Sequence, residues 1–378
     1  MIHKYQEIQN CDIAKVRLLV RVGSEKEKKY ENGITHLLEH MNLFFAEKKP
    51  FELSVRGTTD FECTMYEITC INDYSHVVSV IDKIYSIING ELLRECDLPI
   101  VKQAVLKEIE FQMNDIYYRE RNNLFNSLLP EELREKMPVG MKEVIETLSF
   151  EQIIEYQKNS YKDFAICLSS RFNLFDEEIN LSNSMPKVKK YIKNKKSLYW
   201  TISAQVSKKK SVSKSIYFES IKKYDNTKEN LINEFIKIYF FMLFDNMFCE
   251  KLDQKGIVAT EAIVYENIIV DEMCVVVYEL EILKGIDEEL MEMMVMEVLR
   301  DIYSSTEIVQ SIFHVAKKEF FNIMRDTTFF EKCKQKFLHG VNMFLPFDER
   351  EVCYEFNYLD ICNMAEMYLS YKLSLIHI

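Results

Sequence analysis

The segment Gly33–Phe44 constrains the chain more than any other, because apolar residues occupy almost every side of it and no proline interrupts it. Such a segment is expected to form a buried helix of about three turns. His36 and His40 lie four residues apart, so both imidazoles project from one face and can reach one metal ion. Glu39 lies close to that face, where its carboxylate can contact a water on the same ion. The pattern His-x-x-Glu-His predicts a metal site for peptide hydrolysis.

The same three residues also allow a purely structural interpretation. A histidine in an apolar helix is commonly a core residue whose ring is hydrogen-bonded to a backbone carbonyl. A charged Glu39 among buried leucines needs a partner in either interpretation, because an unpaired buried carboxylate is strongly unfavourable. The motif therefore favours a metal site, and a further ligand elsewhere in the chain would support it.

A second predicted helix, from Asp97 to about Tyr118, offers such a ligand. At 100° per residue, Glu108 falls in the middle of its apolar side and Glu110 falls opposite. A carboxylate on a buried stripe needs a cation, so Glu108 is the candidate third ligand. Pairing of Glu108 with an arginine or lysine is the alternative. The apolar side comprises Leu98, Val101, Ala104, Val105, Ile109 and Phe111.

The composition of the chain limits the classes of function. A length of 378 residues suits two domains, and only 8 glycines and 6 prolines favour long helices over a loop-rich all-β fold. The net charge of −12 argues against a general nucleic-acid-binding protein. The 10 cysteines show no Cys-x-x-Cys spacing, which together with the lack of a signal-peptide core or an apolar membrane-spanning run predicts a cytoplasmic protein with reduced thiols.

The order of predicted elements indicates an α+β fold of two related domains, each a mostly antiparallel sheet packed against helices. Residues 1–175 are expected to form the N-terminal domain, and residues 198–378 a C-terminal domain of similar architecture. The lysine-rich residues 176–197 are interpreted as a solvated linker, with a nucleic-acid patch as the alternative. Two strands are expected within residues 51–71, turning at residues 57–60, and residues 371–378 are predicted to form a closing strand.

Several segments resemble the pitrilysin/insulinase family of zinc peptidases, the inverzincins. The strand residues Val16–Ser24 and the helix residues Gly33–Met41 carry this resemblance, and Thr64–Thr69 is similar to a Thr-x-x-Glu-x-Thr strand of the family. In that family a glutamate on a later helix completes the zinc site. Glu108, in Val105–Glu108, follows His40 by 68 residues and is similar to that ligand. The resemblance implies Zn²⁺ bound by His36, His40 and Glu108, with Glu39 as general base.

Other positions differ from the family pattern. The glutamate usually found seven residues before the third ligand is replaced by Val101, and an Asn-Ala pair on a substrate-gripping edge strand is replaced by Phe61–Glu62. In the segment Phe248–Ala259, Asp253 stands at the position of a substrate-holding arginine, and Ala259 or Thr260 at that of a tyrosine. The residues that bind substrate are therefore not identified.

The chain also has half the length of the family's long members, and half-length members pair into a closed chamber. The resemblance thus implies a zinc-bearing endopeptidase subunit, half of a clam-shell chamber, whose partner subunit supplies the missing arginine and tyrosine. A heterodimer is expected, with a homodimer as the alternative. The implied substrate is a small unfolded peptide, such as a leader removed during bacterial peptide natural-product maturation. General peptide scavenging and a non-catalytic peptide-binding or scaffolding subunit are the alternatives.

Overall fold

A computed structural model of the chain divides into two compact units, residues 1–192 with 328–341, and residues 193–327 with 342–378. The residues that the structure describes are 2–44, 49–114, 118–119, 122, 129, 131–134, 136–175, 200–206, 212–221, 228–270, 273–282, 287–305, 307–326, 329–340 and 357–369.

Unit 1 is built on a five-stranded sheet in the order β1-β5-β2-β4-β3. Strand β1 pairs parallel with β5 and all other pairs are antiparallel. Strand β3 lies at one edge of the sheet. The strands are β1 Ile2–Glu7, β2 Ile13–Val20, β3 Glu52–Thr59, β4 Thr64–Ile71 and β5 Phe164–Ser170.

Five helices of unit 1 belong to the same core as one face of this sheet. Alternate residues of β2, such as Val16 and Leu18, are fully buried against them, as the period of two in a half-buried strand requires. The helices are α1 Ile34–Phe44, α2 Tyr74–Asn89, α3 Leu98–Asn114, α4 Lys142–Thr147 and α5 Phe150–Ser160.

The opposite face of the sheet is covered by a helix that comes much later in the chain, Phe329–His339. Its residues Phe330 and Phe337 pack with Leu19 and Cys167, which alternate with the residues facing the first core. Because this helix follows the long helices of unit 2 in sequence, its return to unit 1 depends on contacts between residues far apart in the chain. The predicted N-terminal domain, residues 1–175, did not include this helix.

Unit 2 has a four-stranded antiparallel sheet in the order β6-β7-β9-β8. Its core is rich in aromatic residues, with Phe244 in ring contact with both Phe218 and Tyr278. The strands are β6 Trp200–Val206, β7 Val212–Ile221, β8 Ala259–Val270 and β9 Met273–Ile282. The remaining helices are α6 Lys228–Gln254, α7 Glu288–Ser304, α8 Gln310–Asp326, α9 Phe329–His339 (the helix of unit 1) and α10 Tyr358–Leu369.

The two units repeat one order of elements. In unit 1 the run β2-α1-β3-β4-α2-α3 matches β7-α6-β8-β9-α7-α8 in unit 2, and the strands occupy equivalent places in the two sheets. The predicted fold class, helices packed against mostly antiparallel sheets, is thus confirmed. Residues 176–197 and 371–378, the expected linker and closing strand, lie outside the described residues.

Two local expectations differ from the structure. Strand β3 continues through Gly57 to Thr59, and the turn follows at residues 60–63, where the Asp60 carboxylate accepts hydrogen bonds from the backbone N–H groups of Glu62 and Cys63. On α3, Ala104 is exposed although it was expected on the buried side. Phe111, expected on the same side, is 69% exposed. It lies near the end of α3, six residues beyond the fully buried Val105.

Candidate metal centre

The N-terminus of α1 is held by a buried carboxylate and a glycine. Glu27 accepts hydrogen bonds from the backbone N–H groups of Gly33 and Thr35, each at 2.9 Å, and so satisfies donors that a helix start leaves open. Gly33 has φ +100°, and a Cβ placed there would lie 2.9 Å from the Cα of Gly140. This close approach brings the loop that contains Val139 against the first turn of α1.

The two histidines of α1 face one point. His36 is buried and the side chain of His40 is 27% exposed, and their ring centroids lie 4.6 Å apart. The Nδ1 of His36 lies 3.0 Å from the carbonyl oxygen of Val139. Because a carbonyl only accepts, this bond places the proton on Nδ1 and leaves the Nε2 lone pair for a metal ion.

Glu108, on α3, reaches both histidines. Its Oε2 lies 3.6 Å from Nε2 of His36 and 3.4 Å from Nε2 of His40. These separations are too long for strong hydrogen bonds. They match the spacing of about 3.4 Å between two ligand atoms that each lie about 2.1 Å from a tetrahedral zinc ion. Gln112, one turn later, donates to the other oxygen of Glu108 at 3.2 Å and helps to orient it.

The charges at this point shift the pKa values of the group. The imidazoles of His36 and His40 beside its carboxylate hold the pKa of Glu108 well below its usual range. Burial acts to lower the pKa of His36, but the hydrogen bond to Glu108 and the charge of Glu39 outweigh it, so the pKa is raised. The chain thus gathers carboxylates around two imidazoles, which is a favourable setting for a cation.

Glu39 is packed against the edge strand β3. Its carboxylate is buried, its Oε2 accepts a hydrogen bond from Thr59 at 3.2 Å, and burial raises its pKa. A Cβ on Gly57 would lie 2.2 Å from Oε1 of Glu39. Any residue other than glycine at this position would therefore displace the carboxylate. A raised pKa and a fixed orientation suit a general base.

The structure therefore brings together all four residues singled out from the sequence: His36, Glu39, His40 and Glu108. Within the described part of the chain, His36, Glu39 and His40 offer ligand atoms that all lie within 4.8 Å of one another, and Glu108 approaches both histidines from α3. Two imidazole nitrogens and carboxylate oxygens form a donor set that zinc accepts. The residues fit the ion that the motif implies.

Sequence reasoning missed the groups that support these side chains. These groups are Val139, Thr59 and Gly57, which lie far from the histidines in the sequence or in a different element. A glycine in a strand does not indicate which side chain packs against it. Val101, at the position of the absent family glutamate, is buried among apolar residues of α3 and adds no charge to the site.

The turn that replaces the family's Asn-Ala pair is held from α9. Lys334 donates to Oδ2 of Asp60 at 3.1 Å, and Nε2 of His339 lies 3.9 Å from a carboxylate oxygen of Glu62. The positions Asp253 and Ala259 lie in unit 2, at the C-terminal end of α6 and the start of β8.

Comparison with known sequences shows what the segment around this site is similar to. Residues 5–137, which include all four site residues, match the model of the insulinase family, peptidase family M16. The chain is 30% identical over 153 residues to the chloroplastic stromal processing peptidases of Oryza sativa subspecies indica and japonica. The match covers 38% of this chain and 12% of each rice protein, so the chain spans a small part of these relatives.

Solved structures extend the likeness to the whole chain. The periplasmic protease PqqL from Escherichia coli is similar over 96% of this chain and 44% of its own, with a TM-score of 0.72 at 10% identity. An inactive M16 peptidase domain from Pseudomonas fluorescens is similar over 98% of this chain and 92% of its own, with a TM-score of 0.67 at 10% identity.

The helix that carries His-x-x-Glu-His lies within the part of the chain that matches the M16 family model. The similarity to peptidase family M16, the insulinase family, thus covers residues 5–137, and the solved structures share the fold of the chain. Within the described residues, no helix is long and apolar enough to cross a membrane.

Proposed function

We propose that the chain is the zinc-bearing subunit of a cytoplasmic endopeptidase that cleaves small unfolded peptides. The observation that carries this proposal is the position of Glu108, whose Oε2 lies 3.4 and 3.6 Å from the two histidine nitrogens, at ligand spacing. In this assignment His36, His40 and Glu108 hold zinc, and Glu39 is the catalytic base.

The proposed roles follow from the chemistry of each group. Zinc bound there supplies Lewis acidity that makes a water nucleophilic near neutral pH. Glu39, buried and oriented by Thr59, accepts a proton from the attacking water and then delivers it to the leaving amine. His36 is fixed in one tautomer by Val139, so its metal-binding nitrogen is ready before the ion arrives.

The free edge of β3 supports peptide as the substrate class. This strand ends the sheet of unit 1, and its residues Gly57 and Thr59 border Glu39. An extended peptide can add to such an edge through backbone hydrogen bonds, which would lay its scissile bond beside the base. We propose a leader or other precursor peptide in bacterial natural-product maturation, with general peptide scavenging as the alternative.

A partner subunit is part of the proposal. Asp253 and Ala259 stand where the family has an arginine and a tyrosine that hold substrate over zinc. Donors of that kind typically contribute about 3 to 4 kcal/mol to transition-state stabilisation, so another chain must supply them for full activity. A heterodimer with a second family member meets this need. Full turnover by a proven homodimer of this chain would exclude it.

The first experiment measures zinc per chain by elemental analysis after purification without added metal. We expect about one zinc per wild-type chain and a loss of most of it in Glu108→Ala, since a three-residue site then keeps only its two histidines. Glu110→Ala, a neighbouring exposed carboxylate on the same helix, is the matched control and should retain zinc. Zinc that is unchanged in Glu108→Ala would remove Glu108 from the site.

The alternative of a non-catalytic, peptide-binding or scaffolding subunit has its own support. The chain lacks the glutamate replaced by Val101 and the arginine and tyrosine replaced by Asp253 and Ala259, and its fold is similar to that of an inactive M16 domain. This alternative predicts peptide binding without hydrolysis even when zinc and the second subunit are present. Peptide products in a mass-spectrometric assay of the zinc-loaded pair would reject it.

A further inference from the structure

Unit 2 contains a cavity of about 440 Å³ along the helix α6, a volume in the range of small-molecule sites. Its walls are mainly apolar, with Phe241 and Met242 of α6 among them. Three carboxylates and one ammonium also line it: Glu234, Asp245 and Lys237 on α6, and Glu319 on α8.

On α6, Glu234 and Asp245 are partly buried and Lys237 is buried, which is unusual for charged groups, whereas Glu319 on α8 is exposed. The helix α6 buries a nearly continuous set of aromatic and aliphatic residues, and charged side chains facing its packed side are costly unless paired. Lys237 is buried and donates to Glu234 at 2.8 Å, so those two charges offset each other. The carboxylates of Asp245 and Glu319 remain as the excess charge of the cavity.

Contacts on one oxygen hold the Asp245 carboxyl group in a fixed orientation. The buried hydroxyl of Tyr278 donates to its Oδ1 at 2.7 Å, and burial raises the pKa of Tyr278, so this hydroxyl stays a donor. The thiol of Cys249 approaches the same oxygen at 3.6 Å. Both contacts fall on Oδ1, and among the described residues none falls on Oδ2, which leaves an acceptor available to a ligand.

The place of the cavity in the fold supports a binding role. It is lined by α6, β8, β9 and α8, which occupy in unit 2 the places that α1, β3, β4 and α3 occupy in unit 1. Glu319 on α8 thus parallels Glu108 on α3. The second unit keeps carboxylates at the equivalent location but has no histidine among the cavity residues.

We propose that this cavity binds an organic cation with an apolar body, its amine or guanidinium paired with Asp245. The body would lie on Phe241 and Met242, and Glu319 would add attraction for the same charge. Lys237 already balances Glu234, and the excess of carboxylates disfavours an anionic ligand. The cavity suits an elongated molecule, because its lining residues extend along α6 from Lys237 to Asp245, a rise of about 12 Å.

The test compares two probes of the same shape in ligand-observed NMR titrations with the full chain. The cation is 4-phenylbutylamine and the neutral analogue is 4-phenylbutan-1-ol. We expect the amine to bind about tenfold more tightly, the effect of one favourable charged contact. Asp245→Asn, which keeps an oxygen for Tyr278, should lower the amine affinity about tenfold and leave the alcohol within about twofold. Glu250→Gln, an exposed change on the same helix, is the matched control and should alter neither.

Other outcomes would overturn the proposal. These are equal binding of the two probes, no saturable binding of either, or an amine affinity unchanged in a folded Asp245→Asn. If Asp245→Asn does not fold, Glu319→Gln replaces it and should lower the amine affinity about threefold. Met242→Trp, which fills the cavity, should abolish binding of both probes while the thermal transition is kept, and retained binding would place the site elsewhere.

Discussion

The helices α1 and α6 occupy the same place in the two units, yet their charged residues are arranged differently. On α1, His36, Glu39 and His40 meet at one point, and Glu108 approaches that point from α3. On α6 the charged residues are spread over three turns, and Lys237 provides a fixed positive charge beside Glu234. The comparison shows that one architecture can present either two imidazoles and two carboxylates at close spacing or a row of carboxylates with a built-in ammonium, and that a few side chains decide between them.

The largest expected effect comes from Glu39→Gln. This change keeps the shape of the side chain and removes the proposed base, so peptide turnover should fall by about 10²- to 10⁴-fold with zinc content unchanged. The measurement is product formation from unstructured peptides by the zinc-loaded chain with its partner subunit. Glu110→Gln serves as the surface control. Turnover near the wild-type rate in Glu39→Gln would show that this carboxylate is not the base.

A smaller loss is expected from Gly57→Ala. The added Cβ would overlap Oε1 of Glu39, and the flexible carboxylate must move away from its bond with Thr59. We expect turnover to fall about tenfold or more while zinc is retained, since neither histidine is touched. Thr59→Val, which only removes the hydrogen bond, should cost less than Gly57→Ala. If Gly57→Ala leaves turnover intact, the orientation of Glu39 by β3 has no role.

In unit 2 the corresponding test is Lys237→Met. Removing the ammonium leaves Glu234 partly buried beside an apolar side chain, and we expect a loss of about 2 to 3 kcal/mol in the free energy of unfolding. The double variant Lys237→Met with Glu234→Met should recover most of this loss, because the Glu234 charge is removed together with its cationic partner. Urea unfolding of the three proteins measures the effect. Equal stability of the single variant and the wild type would mean that Lys237 does not act as the internal cation.

The sequence predicts the proposed site residues, which the structure brings close together, from signals that are local. Helical spacing of the two histidines and the position of Glu108 within an apolar stripe need no knowledge of the fold. The misplaced turn at residues 57–60 shows the limit of such signals: Gly57 was interpreted as a turn glycine, whereas the structure uses it where the Glu39 side chain packs on β3. Strand β1 and the return of α9 to unit 1 depend on pairings more than 100 residues apart, which local patterns do not encode.

The smallest predicted effect concerns α9, which gives the sheet of unit 1 its second layer. Burial and the nearby charges of Lys334 and Arg21 lower the pKa of His339 to about 4. An unfolded chain takes up this proton near its ordinary pKa of 6.5, so the folded state loses stability as the pH falls from about 6.5 toward 4. Between pH 7 and pH 5 the contribution should be about 1 to 2 kcal/mol, reduced by partial exposure and by the attraction of Glu62.

His339→Gln isolates this contribution, because glutamine does not titrate. Urea unfolding at pH 7 and pH 5 should show a pH-dependent loss of stability that is about 1 to 2 kcal/mol smaller in the variant than in the wild type. Other groups also titrate in this range, so the difference between the two proteins, rather than either curve alone, carries the information. An identical pH dependence in both would mean that His339 takes up its proton equally in the folded and unfolded chain. The layer formed by α9 would then be insensitive to acid at this position.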